Sequence, residues 1–406
     1  MSRPLAIDLF AGAGGLSYGL ESAGFDVVAS LEIEAIHAAV HEYNFAYGRT
    51  ICADIRTVDA ATIRERAGLS ADDEITLVAG GPPCQGISLM GRRAIDDPRN
   101  ELLAEFVRVV LDLRPRFVIM ENVAGLLAGE HARLLDEVAD DLEAGGYRVR
   151  RPIRVLQAAE FGVAQSRKRL FLLAAAAGES LPDYPAPTHQ ARSIRPSGPL
   201  PTSDRTATMS VSQALAGLCD ADEFDELLTD DALRVNDAIT SPIAQGEFAR
   251  VRADDPFVLT SSRRTIHTPA TLARFAATAP GQVEPVSRFL RLHPDGVSNT
   301  LRAGTGSSHG GHTAARPIHP SFDRVLTVRE GARLHGYPDT FRFASTKWSG
   351  FREVGNSVPP PLARAVAGAV LDAAGITPTR GPFTPTGDPA WLSCSLAQAR
   401  ALLDRT

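Results

Sequence analysis

Two rhythms of apolar residues alternate along the first half of the chain. Residues 5–10, Leu-Ala-Ile-Asp-Leu-Phe, form a short apolar run that ends in Ala11-Gly12-Ala13-Gly14-Gly15. Leu16, Leu20 and Ala23 then follow at helical spacing until Gly24. This pattern predicts a strand, a glycine-rich turn and a helix. Residues 27–31 make a second run, ending at Glu32, and residues 75–79 a third, leading into Gly80-Gly81-Pro82-Pro83. Positions 101–113 have helical periodicity and stop before Pro115. Residues 117–120 are wholly apolar and end at Glu121-Asn122. A helix is predicted over 131–144, closed by Gly145-Gly146, with further strands over 147–156 and 169–174. Strands alternating with helices predict an α/β fold: a mostly parallel sheet with helices on both faces. Ligands of such sheets sit beyond the carboxyl ends of the strands. Asp8, Glu32, Cys84 and Glu121 all fall at or just past such ends.

The texture changes after Ala177. Prolines at 182, 185, 187, 196, 199 and 201 break regular structure, and the pattern stays weak to about residue 294. This stretch holds an acidic run (Asp220, Asp222, Glu223, Asp225, Glu226, Asp230, Asp231) and scattered arginines. It reads as a second, smaller and irregular domain. Beyond it come a Gly/Ser/His-rich stretch at 304–311 and a helix predicted over 327–334. Gly355-Asn356-Ser357-Val358 and three prolines then lead into a strongly apolar helix over 362–373. A Pro/Gly/Thr-rich tail, 377–389, links to a short last helix. The expected division is 1–177, 178–295, 296–375 and 376–406.

Composition narrows the class. A chain of 406 residues with 44% apolar content has room for one large domain and a smaller one. No apolar run is long enough to span a membrane. The opening residues run straight into a strand, so no signal peptide is expected. The four cysteines, Cys52, Cys84, Cys219 and Cys394, contain no CxxC pair. Neither a disulfide framework nor a metal site is expected, and a reducing cytoplasm is the natural setting. A net charge of −6 does not exclude nucleic acid, because phosphate binding needs a local basic face rather than a basic total.

Three places carry candidate chemistry. The Phe10–Gly15 turn lets backbone approach a ligand and offers free N–H groups at a helix start. Glu32, ending the next strand, is placed to accept from ribose hydroxyls. Taken alone, the turn fits equally a tight connection without ligand, and its spacing departs from the dinucleotide fingerprint. In Gly80-Gly81-Pro82-Pro83-Cys84-Gln85-Gly86, two prolines stiffen the chain before a cysteine. A thiol held there, partly ionised by neighbouring cations or a helix start, is a nucleophile. Glu121 follows an apolar strand, so burial should raise its pKa and suit it to share a proton with a substrate nitrogen. Gln165-Ser166-Arg167-Lys168-Arg169 is a compact basic cluster.

These segments, with Arg329-Glu330, Gly336-Tyr337-Pro338 and Gly355-Asn356-Ser357-Val358, stand in an order that resembles the DNA cytosine-5 methyltransferases. The resemblance covers about residues 4–175 and 296–374. It implies a Rossmann-like class I methyltransferase sheet interrupted by a target-recognition domain at 178–295. It implies that Phe10, Gly12, Gly14, Gly15, Glu32, Ile33, Asp54, Ile55, Pro82, Asn356 and Ser357 bind S-adenosylmethionine, released as S-adenosylhomocysteine. Cys84 would attack carbon 6 of cytosine, Glu121 would hold the ring, and Arg167 and Arg169 would steady it. Gln85, Ser88 and Arg99 would contact the substrate. The implied partners are double-stranded DNA and a restriction endonuclease of the same target, with the enzyme acting as a monomer. The helix after Gly355 is expected to pack beside the first strand. Arg250, Arg252, Arg263, Arg264, Arg288 and Arg291 are candidates for DNA contact, as is the stretch 305–313 with His309 and His312.

Other readings fare less well. An amino-methyltransferase would carry an aromatic residue where Cys84 stands. An RNA cytosine-5 methyltransferase shares the scaffold, but the long separate segment favours DNA. A non-catalytic DNA-binding regulator would have no use for Cys84, Glu121 and Arg167 together.

Overall fold

The computed structural model describes residues 3–83, 101–129, 131–198, 200, 202–253, 255–304 and 316–405. Cys84, Gln85, Ser88, Arg99, His309 and His312 lie outside the described residues. The first half runs β1 (Leu5–Leu9), α1 (Gly15–Ala23), β2 (Asp26–Glu32), α2 (Ala35–Asn44), β3 (Arg49–Cys52), α3 (Ala60–Arg66) and β4 (Leu77–Gly80). It continues with α4 (Glu101–Leu113), β5 (Phe117–Val123), α5 (His131–Ala144), β6 (Tyr147–Val149), β7 (Arg154–Gln157) and β8 (Lys168–Ala176). The strands form one sheet in the order β3-β2-β1-β4-β5-β8-β6, with β7 also paired to β8. β3 to β5 run parallel, and β8 is antiparallel to β5, β6 and β7. The single strand expected over 147–156 is thus two short ones laid end to end along β8.

Alternation along the strands explains their continuous apolar sequences. Val118 and Met120 of β5, with Leu170 and Leu172 of β8, face the layer of α3, α4 and α5. Phe117 and Ile119, with Phe171 and Leu173, face the opposite side. A strand buried on both faces has no polar side to show.

The second half returns to cover that opposite side. It contains β9 (His189–Gln190), β10 (Thr206–Ala207), α6 (Val211–Ala214), β11 (Leu233–Arg234), β12 (Val258–Leu259) and α7 (Pro269–Ala276). Then come α8 (Val328–His335), α9 (Lys347–Asn356), α10 (Pro360–Ala374), α11 (Ala390–Ser393) and α12 (Leu396–Leu403). α10 packs on α1: Leu362, Val366 and Val370 share a core with Leu16 and Leu20. The two backbones approach so closely that a Cβ on Gly19 would lie 2.2 Å from the Ala363 Cβ. This helix, expected beside the first strand, shares a core with Ala6 of β1 and packs directly on α1, the helix that covers that strand. α9 has no clear sequence signal because its glycines, Gly350 and Gly355, look like turn residues. α8 starts on a capping box between Thr327 and Glu330. The tail does not hang free, since Ala399 and Leu403 of α12 pack on Ala35, Ala38 and Ala39 of α2. Among the described residues, no helix is long and apolar enough to cross a membrane.

Residues 178–295 carry little regular structure, and they lean on the rest. Val211 and Leu215 share a core with Leu334, Tyr337, Phe341 and Phe351. Four of the six arginines expected to touch DNA are instead ion-paired within the protein. Arg252 makes a two-point pair with Glu21 at 2.6 and 2.8 Å, also donates to the Asn44 carbonyl, and is almost wholly enclosed. Arg250 pairs with Asp26 at 2.9 Å and lies over the Tyr47 ring. Arg264 meets Asp222, and Arg291 meets Asp323 and the Phe275 carbonyl. The physical reason is local: each has a carboxylate within reach, and a buried guanidinium must be matched in charge and hydrogen bonds. Arg288 is exposed and Arg263 half-buried.

Because Glu21 is fully buried, removing its partner strands a charge. Arg252→Met should destabilise the fold by about 3–5 kcal/mol in urea unfolding, and adding Glu21→Leu should recover part of that loss. Equal stability of Arg252→Met and the parent chain would show that the pair does not anchor this segment.

Candidate active site

The strand order reverses between β1 and β4, which opens a crevice at their carboxyl ends. The glycine turn lies there. Phe10, Gly12 and Gly14 all have left-handed backbone, at φ 61°, 58° and 103°. For Phe10 this is a strained state, held by the surrounding structure. Gly12 has open space where a Cβ would stand, whereas a Cβ on Gly14 would strike Phe45 at 2.4 Å. One glycine therefore leaves room for a ligand, and the other lets α2 approach.

Glu32 is tied to this turn. One carboxylate oxygen accepts from the Gly12 N–H at 2.8 Å, the other from the Glu34 N–H at 2.8 Å. Burial pushes its pKa up, and these two N–H groups act against that rise. Each oxygen retains a second acceptor position. Next to it Ile33 is 59% exposed, an apolar surface waiting for a cover. Asp54 caps the turn that begins at the buried Ile55 and pairs with Arg56 at 2.6 Å. A fixed diol acceptor, an exposed isoleucine and an open glycine cradle suit a nucleoside.

On the other side of the crevice, Glu121 of β5 pairs with Arg169 of β8 at 2.7 Å. The register Val123↔Arg169 and Glu121↔Phe171 brings the two side chains to the same strand end. Burial raises the Glu121 pKa, while Arg169 and then Arg167 pull it back. A Cβ on Gly81 would lie 3.0 Å from the Glu121 carboxylate, so glycine there keeps its approach open. Asn122 donates to the Pro82 carbonyl at 3.0 Å and so fixes the backbone two residues before Cys84. Cys84 itself lies outside the described residues.

Arg167 stands elsewhere than expected. It is 1% exposed and donates to the carbonyls of Leu301 (2.8 Å), Gly355 (2.8 Å) and Ser357 (3.0 Å). Its neighbour Gln165 binds the Leu301 N–H at 3.0 Å and the His335 ring at 2.9 Å. His335 in turn reaches the Ser357 carbonyl at 3.1 Å. Burial, with Arg167 nearby, drives the His335 pKa far down, so the ring is neutral. Arg167 therefore clamps backbone, and Arg169 is the arginine that touches Glu121. Asn356, next to this clamp, is exposed.

Residues 5–372 match the profile of the family described as C-5 cytosine-specific DNA methylase. The chain belongs to that family. It is 45% identical over 99% of its length to the Type II methyltransferase M.XorII of Xanthomonas oryzae pv. oryzae, covering 93% of that protein. It is 31% identical to the Type II methyltransferase M1.HphI of Haemophilus parahaemolyticus, over 90% of this chain and 86% of the other. Among solved structures it is similar to an E. coli prophage protein described as a DNA modification methyltransferase. That match has a TM-score of 0.72 and 28% identity, covering 92% of this chain and 99% of that one. The DNA cytosine-5 methyltransferase expected from the motifs is thus the enzyme that the comparisons identify.

Several residues of this methylase have roles that no local sequence pattern signals. Gln165 and His335 act only through partners far along the chain, and Asn122 acts through the backbone carbonyl of Pro82, just past β4. Asp8 reads in sequence only as a polar residue at a strand end. Its partners, Ser17 and His41, read as ordinary helix positions.

The glycines of the turn should separate by experiment. Gly15 lies where a Cβ would meet the Tyr337 hydroxyl at 2.5 Å and the Val358 carbonyl at 2.6 Å. Gly15→Ala should cost about 1–3 kcal/mol of stability by overpacking. Gly12→Ala should cost only about 1–2 kcal/mol, from its left-handed backbone, yet fill the cradle and weaken cofactor binding more than Gly15→Ala does. Thermal unfolding and equilibrium binding check both, and the reverse ranking of affinities would contradict this assignment.

Proposed function

We propose that this methyltransferase moves a methyl group from S-adenosylmethionine to carbon 5 of a cytosine flipped out of duplex DNA, through a transient bond to Cys84. The observation that carries the reading is the buried Glu121–Arg169 pair, which lies beside Gly81 on the segment that Asn122 fixes through the Pro82 carbonyl. A carboxyl group is presented there, next to the backbone that leads into the cysteine.

S-adenosylmethionine, when bound, supplies a methyl group on a sulfonium, and the homocysteine form leaves as product. Glu32 would accept from its ribose hydroxyls, and Phe10, Ile33, Asp54 and Ile55 would hold its nucleoside. Gly12, Gly14 and Gly15 shape the cradle, and Pro82, Asn356 and Ser357 close its far side.

Carbon 5 of cytosine is a poor nucleophile. The Cys84 thiolate adds to carbon 6, and Glu121 donates a hydrogen bond or proton to ring N3 and receives the exocyclic amine. Its raised pKa, set by burial, keeps more of the acid form near neutrality. Carbon 5 becomes enamine-like and takes the methyl group. Loss of the proton on carbon 5 then restores the double bond and expels the Cys84 thiolate. Arg169 holds Glu121 in line. The ring is hidden inside a duplex, so the base must leave the stack. Gln85, Ser88 and Arg99 contact the extruded nucleotide.

Residues 178–295 are the target-recognition segment, with Arg288 and Arg263 as its candidate readers. A two-point arginine–guanine contact would give about 1–3 kcal/mol of discrimination. The Type II names of the relatives favour a restriction endonuclease with the same target as partner.

Cys84→Ser should lower methyl transfer by at least ~1,000-fold while cofactor binding survives. Duplex DNA carrying 5-fluorocytosine should trap a covalent adduct on the parent enzyme, because fluorine cannot leave as a proton does. Full activity of Cys84→Ser, or turnover on ordinary DNA with no adduct in denaturing gels, would overturn the covalent route.

A further inference from the structure

Among the buried acids that this chemistry leaves unused is Asp8. It lies in β1 at 0% exposure, and strand alternation turns it toward α1 while Ile7 and Leu9 face the other layer. One carboxyl oxygen is 2.5 Å from the Ser17 hydroxyl, and the other is buried without a partner. The Ser17 hydroxyl also lies 2.9 Å from His41 Nε2. His41 Nδ1 lies 3.1 Å from the Ser30 hydroxyl and 3.0 Å from that of Thr50. The result is a hydrogen-bonded chain from β1 through α1 and α2 to β2 and β3.

This chain can run either way. With Asp8 ionised, Ser30 or Thr50 donates to His41 Nδ1, His41 Nε2–H donates to Ser17, and Ser17 donates to the carboxylate. With Asp8 protonated, every donor reverses: Asp8 to Ser17, Ser17 to Nε2, and Nδ1–H to Ser30 or Thr50. Both states leave the links satisfied, so the acid can change protonation without stranding a polar group. The ring stays neutral throughout, because burial drives the His41 pKa down to about 3, with Arg252 adding to the fall. The charged groups acting on Asp8 from neighbouring elements are Glu32 and Glu121, both carboxylates; Tyr337 and His41 are neutral neighbours. Burial, and then these two carboxylates, raise Asp8 to about 7 against the opposing hydrogen bonds from Ser17.

We propose that Asp8 reads the charge of the bound cofactor: it releases its proton to solvent, with reversal of the Ser17–His41 chain, when a sulfonium occupies the crevice, and keeps it when the neutral thioether product sits there. The inference rests on the S-adenosylmethionine reading above. Its consequence is a preference for the methyl donor over the spent product that grows as pH rises through 7. The sign follows from linkage. Affinity for the sulfonium is greatest above the Asp8 pKa of the free enzyme. It falls as pH drops through 7, because binding must then displace a proton. A drop of about tenfold between pH 8 and pH 6 is expected from one such group.

Calorimetry on the full chain tests this. S-adenosylmethionine and S-adenosylhomocysteine are titrated in two buffers of different ionisation enthalpy, at pH 6.5 and pH 8.5. The comparison with Asp8→Asn cancels titration of the ligands' own amines. On binding S-adenosylmethionine at pH 6.5, the parent chain should release about half a proton or more in excess of what Asp8→Asn releases. At pH 8.5 that excess should almost vanish. With S-adenosylhomocysteine the two chains should match. Equal release by the parent chain and Asp8→Asn, or equal release with both ligands, overturns the proposal; failure of S-adenosylmethionine to bind at all overturns the cofactor reading beneath it. Should Asp8→Asn not fold, nitrogen NMR of His41 in the parent chain decides. At pH 6.5 the ring proton should move from Nδ1 to Nε2 with S-adenosylmethionine and stay with the product. An unmoved proton contradicts the relay.

Discussion

Arg167 donates to three main-chain carbonyls that belong to two distant stretches of chain, and the site depends on that closure. β7 and β8 build the edge of the sheet beside Glu121. The Gly355–Ser357 stretch builds the wall behind the glycine turn. Among the described residues no strand pairing joins these two, and a single bridge between Gln165 and Ser298 ties the Leu301 stretch to the segment before β8. A guanidinium is well suited to the task, because its rigid fork can satisfy several carbonyls at once and does not lose its charge. Gln165 and His335 extend the same clamp, and the neutral ring of His335 gives and receives hydrogen bonds without adding another buried charge. The close contact of α1 with α10 then follows, since α10 starts only a few residues past Ser357.

Carboxylates at three parallel strand ends form the second organising feature. Asp8, Glu32 and Glu121 end or nearly end β1, β2 and β5, and burial raises the pKa of all three. Their surroundings divide their roles. Glu32 is held by backbone N–H groups and acts as a fixed acceptor. Glu121 is matched by an arginine and faces the crevice through the gap left by Gly81. Asp8 is bonded to the Ser17 hydroxyl and through it to the His41 ring, a chain that tolerates either protonation state. One sheet thereby carries three acids with different tasks, set by what touches each.

Local sequence made much of this legible. Apolar runs and glycine stops located β1, β2, β4 and β5, and the ordered motifs identified the family. What escaped was whatever depends on distant partners. No local pattern says that Arg167 would face carbonyls and Arg169 would face Glu121, because only the register of β8 on β5 separates them. The arginines of 250–291 looked available for phosphate, yet Glu21, Asp26, Asp222 and Asp323 lie up to about 230 positions away in sequence and claim four of them. α9 was hidden by its glycines, which serve close packing: a Cβ on Gly355 would meet the Ala303 backbone at 2.4 Å. Propensity is a weak guide where tertiary contact decides.

Hydrogen exchange on Arg167→Lys tests the central claim most directly. Lysine keeps the charge and loses the fork. If the clamp unites the two stretches, amides at 298–301 and 353–358 should exchange about tenfold faster or more, while β1 and β4 keep their protection. Unchanged protection at both stretches would mean that the remaining contacts hold the halves together and that Arg167 does not govern the site.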